Sequence, residues 1–225
     1  MKLAPDSEIS YFLEETEIID FSNPEIRSLS EKLNREAADK TDLIKRIYEF
    51  ARDEISHSND SGDMEVTLKA SDVLEKGHGI CFAKSHLLAA LLRQNGIPVG
   101  FCYQKLVLSE KNPILIFHGL CGVYIEENDV WVRLDPRGNK EGVDAQFSID
   151  PDNEKPAFIA CPEHGEEDFK TIYAEPAAEI IFALTEYKTR EELWKNLPTK
   201  INGKSNEIEE NTENGWKNVC KTNEK

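Results

Sequence analysis

The stretch Gly77-His78-Gly79-Ile80-Cys81-Phe82-Ala83-Lys84-Ser85-His86-Leu87-Leu88-Ala89-Ala90-Leu91-Leu92-Arg93-Gln94-Asn95-Gly96-Ile97-Pro98 decides how the chain is read. Leu87, Leu88, Leu91 and Leu92 form the apolar body of a helix that starts near Cys81. It stops at Asn95-Gly96, and Pro98 bars its continuation. A cysteine therefore stands in the first helical turn. Unpaired backbone N–H groups and the positive end of the helix dipole gather there, and both favour a thiolate. The Cys81 N–H is itself a donor for a developing oxyanion. Glycines ahead of it let a substrate approach the backbone closely. A buried structural cysteine that merely begins a core helix is the competing explanation, and this segment alone weighs the two equally.

Working outward, Asn23-Pro24 opens a first helix with an asparagine N-cap and a proline at the first helical position. A second helix is expected from about residue 41 to 55, with Leu43, Ile44, Ile47, Phe50, Ala51 and Ile55 as its buried stripe. Residues 57–63 are polar, contain Gly62 and read as a loop. Ser71 is expected to cap a short turn over 72–76 that Gly77 ends. Downstream of the central helix, apolar or alternating runs at 99–108, 114–125 and 130–134 are separated by polar turns, which predicts an antiparallel meander. Residues 177–184 read as a further strand or short helix, and 189–197 as a helix closed by Pro198. The Asn-, Glu- and Lys-rich stretch 199–225 is expected to be a disordered tail behind a single domain of residues 1–198. The fold class is α+β: a cysteine-bearing helix packed on an antiparallel sheet, with helices ahead of it.

At 225 residues the chain suits one well-buried domain. Twenty-seven basic against 43 acidic residues give a net charge of −16. That field repels phosphate backbones and anionic membranes, so neither nucleic acid nor a membrane surface is an expected partner. Pro5, Asp6 and Glu8 interrupt the N-terminus where a signal peptide needs an apolar run. Five cysteines without a framework spacing point to a reducing compartment, the cytoplasm by default.

Two more residues bear on chemistry. His118 lies in the middle of an apolar strand, and Gly119 after it leaves space beside the imidazole. Asp135 ends the next strand, in Trp131-Val132-Arg133-Leu134-Asp135-Pro136. A hairpin turning at 126–129 pairs residues about a midpoint near 127.5, so His118 faces residue 137 and Asp135 falls within about two residues of it. A carboxylate there holds the imidazole by one nitrogen while the other faces the thiol. A satisfied core histidine and a turn-capping aspartate are the plain alternatives, each common singly.

Gly79-Ile80-Cys81, Ala83, Leu87–Leu92 with Arg93, Gly96-Ile97-Pro98, His118, and Trp131 with Leu134-Asp135-Pro136 together resemble the core of the transglutaminase-like superfamily. The LLRxxGIP ending of the helix is the most specific part. The resemblance covers about residues 20–140 and leaves the segment to about 198 as a lineage-specific completion. It implies a papain-like α+β fold and a thiol acyl-transfer triad of Cys81, His118 and Asp135. It also implies a peptide or amide substrate, with neither cofactor nor metal. Members include transamidases, peptidases, glycan-releasing amidases and proteins without catalysis. Many carry an upstream aromatic or glutamine side chain that completes the oxyanion hole; here Tyr103, Asn59 and His57 are the candidates. An acyl-CoA-dependent N-acetyltransferase would share the triad, but Lys76-Gly77-His78-Gly79 stands where its arginine-glycine run is expected.

Other constellations compete. His78-x-x-Cys81 and His118-x-x-Cys121 have the spacing of a zinc site. Residues three apart on a strand point to opposite faces, which argues against it. Cys161-x-x-His164 sits in a polar loop and reads as a turn. His78 rivals His118 as base, though a histidine beside the nucleophile more often lies on the rim. Cys102 and Cys121 are expected to pack as small apolar groups. Arg137 is a candidate for a substrate carboxylate, or simply a surface counter-charge.

Overall fold

A computed structural model of the protein describes residues 2–109 and 112–205. In chain order its elements are β1 (Ala4–Pro5), α1 (Pro24–Glu36), α2 (Lys40–Glu49), β2 (Ser56–His57), α3 (Ser58–Ser61), α4 (Ala70–Lys76), β3 (His78–Gly79), α5 (Cys81–Gln94), β4 (Val99–Ser109), β5 (Asn112–Ile125), β6 (Val130–Leu134), β7 (Glu167–Asp168), β8 (Thr171–Ile172), α6 (Ala178–Glu186), α7 (Arg190–Lys195), β9 (Lys200–Ile201) and β10 (Lys204–Ser205). The class is α+β, with α5 packed on a four-stranded antiparallel sheet in the order β6-β5-β4-β7.

Local chemistry sets the helix ends. The Asn23 side chain accepts from the Glu25 N–H at 2.9 Å, with Pro24 at the first helical position. The Asp39 side chain caps α2 in the same way, through the Asp42 N–H. Beyond Glu49 the helix widens into a π-helical turn, Phe50–Glu54. Gly77 ends α4 with φ at 69°. That helix begins at Ala70, one residue before Ser71. Ser71 is no cap; its N–H and hydroxyl both donate to Asp20.

The central helix α5 is buried from Cys81 to Arg93 on all faces, not only along its leucines. Three cationic or ionisable side chains are enclosed with it. Lys84 donates to the backbone carbonyls of Arg52 and Ile55, His86 hydrogen-bonds the Leu68 carbonyl, and Arg93 donates to those of Val99, Glu14 and Ala174. Buried charge is tolerated where such acceptors converge. Ile44, Ile47, Tyr48 and Ala51 from the preceding helix and turn join the same core.

The strand pairings follow the predicted meander. In β5–β6, Cys121 pairs with Leu134 and Val123 with Val132, a register centred between residues 127 and 128. The turn between them is a 3-10 segment closed by Asp129 in the left-handed region, φ 50°.

Several details depart from the sequence reading. Residues 57–61 are a short strand and one helical turn, not a loop, because His57 pairs with Gly79. Residues 178–186 resolve the strand-or-helix ambiguity as α6. The expected tail is structured at its start: β9 and β10 form a hairpin and Ile201 is buried. The rest of that predicted tail, 206–225, lies outside the described residues.

The space at Gly119 is filled from the first turn of α5. A Cβ built there would stand 2.4 Å from Cδ1 of Phe82, the residue after Cys81. The missing side chain lets the first turn of α5 press onto β5. Gly119→Ala is therefore expected to cost about 1–3 kcal/mol of stability, because Phe82 must shift in a packed core. Urea denaturation of the variant measures this, and an unchanged midpoint would refute the close packing.

Candidate active site

Cys81 is placed by what precedes it. β3 lies parallel to β2, and Ile80 is extended before α5 begins at Cys81. The first N–H groups of a helix have no intrahelical partner, and Cys81 stands at the first position of α5. Cys81 is 8 % exposed, and its carbonyl accepts from Ser85 Oγ at 2.9 Å.

His118 reaches the same place from the sheet. Its Nε2 lies 2.8 Å from Asp135 Oδ2, with both side chains buried. The imidazole lines one cavity with Cys81, whose charge acts on the ring. Asp135 is the first residue after β6, and the hairpin register brings it one rung past the Cys121–Leu134 pair. Its carboxylate is fully engaged: Oδ1 accepts from the Arg137 N–H at 3.0 Å, and Oδ2 also from the Ala157 N–H at 2.9 Å. Phe158 meets the imidazole edge-on, ring centroids 5.1 Å apart. The three residues singled out in the sequence are thus gathered at one site.

Electrostatics follow from this geometry. Burial alone would depress the His118 pKa, yet the charges of Asp135 and Cys81 and the hydrogen bonds to both push it up to about 10. Asp135 is shifted the other way. Burial opposes its charge, but His118 and the two backbone N–H groups hold it below its ordinary 3.8. The pair favours an imidazolium next to the sulfur.

A cavity of about 80 Å³ opens at Cys81 and His118. Its walls are mainly apolar, with Phe82, Leu106, Phe117 and Phe158 from the core and Trp194 and Leu197 from α7 and its end. Sequence reasoning did not assign Phe158, Trp194 or Leu197 to the site. α7 lies far along the chain and is drawn in by contacts such as Arg190 Nη1 to Asn59 Oδ1, 2.8 Å. A tryptophan in a short helix gives no signal of that destination.

The rival residues are committed elsewhere. His78 is buried in β3, not on a rim, and its Nδ1 bonds Ser58 Oγ at 3.0 Å. Arg137 is not a surface charge: it is buried, forks onto Asp60 and lies 5.9 Å from the Phe158 ring centroid. Arg133 is likewise enclosed between Glu154 and Asp168. The Tyr103 hydroxyl accepts from the Ala177 N–H. Cys121 donates to the Ser85 carbonyl, away from His118. Among the described residues no group of three or more His, Cys, Asp or Glu side chains is arranged around a metal position. No described helix is long and apolar enough to cross a membrane.

Residues 27–136 match the family model described as the transglutaminase-like superfamily. No curated protein matches the chain. Solved structures similar to it include a proposed cysteine protease from Cytophaga hutchinsonii (19% identity, TM-score 0.48, covering 59% of this chain and 43% of that one). The periplasmic domain of TgpA from Pseudomonas aeruginosa, bound to ethylmercury, aligns at 20% identity and TM-score 0.42, over 56% of this chain and 46% of that one. Red sea bream transglutaminase aligns at 17% identity and TM-score 0.35, over 56% and 27%. The chain thus covers less than half the length of each of these structures.

The shifted pair predicts a pH signature in stability. His118, raised above its ordinary 6.5, contributes fully below 6.5 and loses that contribution as pH rises through about 10. Asp135, held below 3.8, contributes above that value and loses its share as pH falls. Removing the imidazole also strands a buried carboxylate, so His118→Ala is expected to cost about 3 kcal/mol near neutral pH. The gap between wild type and variant in urea unfolding should narrow above about pH 9. A gap that stays constant into the alkaline range would contradict the ion pair.

Proposed function

We propose that this chain, whose residues 27–136 belong to the transglutaminase-like superfamily, is a thiol-dependent amide hydrolase with Cys81 as nucleophile, His118 as acid and base, and Asp135 as the group that orients His118. One observation carries the reading: a single buried imidazole bonds the Asp135 carboxylate through Nε2 and lines the same cavity as Cys81.

The reaction follows from that arrangement. The Cys81 thiolate attacks the carbonyl carbon of an amide and its electrons move onto oxygen. The Cys81 N–H, at the start of α5, stabilises this oxyanion. Collapse breaks the C–N bond, and His118 gives its proton to the departing amine. A thioester remains. Water then enters, losing a proton to His118, and the C–S bond breaks to release the acid and restore the ion pair. Asp135 keeps the imidazole in one tautomer and orientation throughout.

Water needs no second binding site, and this favours hydrolysis over transfer to an amine. The mainly apolar cavity suits an uncharged, apolar segment on the acyl side of a peptide or related amide. Cys81 carries the free thiol the chemistry requires, while Cys161 is disulfide-bonded, against the expectation of a uniformly reducing compartment.

Iodoacetamide is expected to label Cys81 well before Cys102 and Cys121. Those two are fully buried, and burial pushes the Cys102 thiol up to about 12 and the Cys121 thiol higher still. In His118→Ala the Cys81 rate should fall about 100-fold or more. Equal labelling of the three thiols, read by peptide mass spectrometry, would remove the case for an activated nucleophile.

The rate against pH gives a second check. Hydrolysis should decline as pH rises through about 10, where His118 loses the proton destined for the leaving amine. Asp135→Asn removes the charge that raises His118, so this alkaline limb should move to lower pH. An unmoved limb would dissociate Asp135 from the imidazole.

A further inference from the structure

Part of the wall around Cys81 comes from a region with no share in the family match. Residues 27–136 carry that match, whereas Trp194 in α7 and Leu197 just beyond it reach the cavity from far along the chain. Both are only partly buried, which places them at its edge.

The fastening of α7 makes this wall a fixed one. Leu193 is enclosed in the main core, 1 % exposed, and Leu197 packs against the same core. At the start of the helix, Thr189 bridges to Glu65, the Lys188 carbonyl accepts from the Val66 N–H at 3.2 Å, and the Met64 carbonyl accepts from the Arg190 N–H at 2.6 Å. Thr189 and Glu192 close a capping box on the first turn. Arg190 is also held to Asn59, itself a cavity residue. The helix is thus tied down at its start and through Leu193, not hinged over the opening.

Size then decides what can enter. The cavity measures about 80 Å³. A benzene molecule is accommodated by a cavity of about 150 Å³, so an aromatic ring does not fit here, while a chain of a few carbons does. Forcing extra carbons against packed aromatic walls drives side chains off their rotamers, and close-packed interiors yield little.

We infer that Trp194, supported by Leu197, is a specificity-determining residue: it closes the apolar cavity beside the thiol, so that the protein acts on amides with a small aliphatic acyl group and rejects aromatic and bulky ones. The substrate class rests on the acyl-transfer reading proposed above; the limit on size at Cys81 does not. One side chain has leverage here, because a single methylene more or less in an apolar pocket changes relative rates about 10- to 200-fold.

Two pairs of probes read the limit, one with an acyl step and one without. p-Nitrophenyl acetate and p-nitrophenyl phenylacetate differ by one benzene ring on the acyl group, and release of p-nitrophenolate gives kcat/KM for each. Iodoacetamide and N-benzyliodoacetamide differ by a benzyl group and alkylate the thiol with loss of iodide, read at Cys81 by peptide mass spectrometry. Wild type is expected to favour the smaller member of each pair about 10-fold or more beyond the preference of free cysteine for the same reagents. In Trp194→Ala both preferences should shrink about 10-fold, and in Trp194→Phe by less. Wild-type preferences no larger than those of free cysteine would overturn the assignment. So would preferences unmoved in a folded Trp194→Ala, even with every rate lowered, because the residue would then support the fold alone. Should Trp194→Ala fail to fold, Trp194→Phe and Leu197→Ala carry the same comparison. A wild type that turns over neither ester, while its alkylation preference still shrinks in Trp194→Ala, would overturn the hydrolase reading and uphold the size limit.

Discussion

A carboxylate enclosed at the end of β6 constrains much of this protein. Asp135 is 1 % exposed, and an ionised group so placed must find its partners inside the fold. It finds three: the imidazole of His118 from β5, the N–H of Arg137 in the following turn, and the N–H of Ala157 from a distant loop. Each bond fixes a different segment. The last draws in Phe158, whose ring packs edge-on against His118 and lines the cleft. One buried charge thus organises the strand register, the turn and part of the cavity wall.

The helix that carries Cys81 is held by the same logic with the sign reversed. Lys84, His86 and Arg93 are buried along it, and each finds backbone carbonyls at the ends or edges of neighbouring elements. Lys84 takes carbonyls of the π-helical turn and the residue after it, which the end of the helix leaves free. Burial and the nearby Arg137 push Lys84 down to about 7, so this anchor keeps only a modest hold on its proton. Rotation of α5 about its axis would strand several polar groups at once. Cys81 at its start is correspondingly fixed relative to the sheet, and Gly119 allows Phe82 in the first turn of the helix to press against β5.

Much of this was legible one residue at a time. The asparagine and proline at 23–24, the glycines at 77 and 96 and the polar turn at 126–129 carry strong local preferences, and the elements begin and end near them. The hairpin midpoint near 127.5 was readable because a short turn leaves the flanking strands little choice of register. Polar side chains misled where burial decided their role. Arg137 and His78 read as exposed groups, yet Arg137 is neutralised by Asp60 and His78 bonds Ser58, partners more than fifteen residues away in the chain. The segment 57–61 read as a loop because its two-residue strand depends on β3 for every pairing bond.

By itself the sequence determined the cysteine at a helix start, the antiparallel pairing that brings residues 118 and 135 together, and the acidic surface. These rest on local conformational preference, on strand periodicity and on counted charge, which need no knowledge of distant neighbours. Tertiary structure alone decided which histidine is charged and which is neutral. His118 and His57 share a cavity and are both buried; the first faces a carboxylate and a sulfur, while the second stands by Arg137 with an unpaired nitrogen. The apolar wall from α7 was decided in the same way, by contacts across more than a hundred residues of chain. Solvation and charge at a buried group depend on what the fold gathers around it, and residue order does not specify that gathering locally.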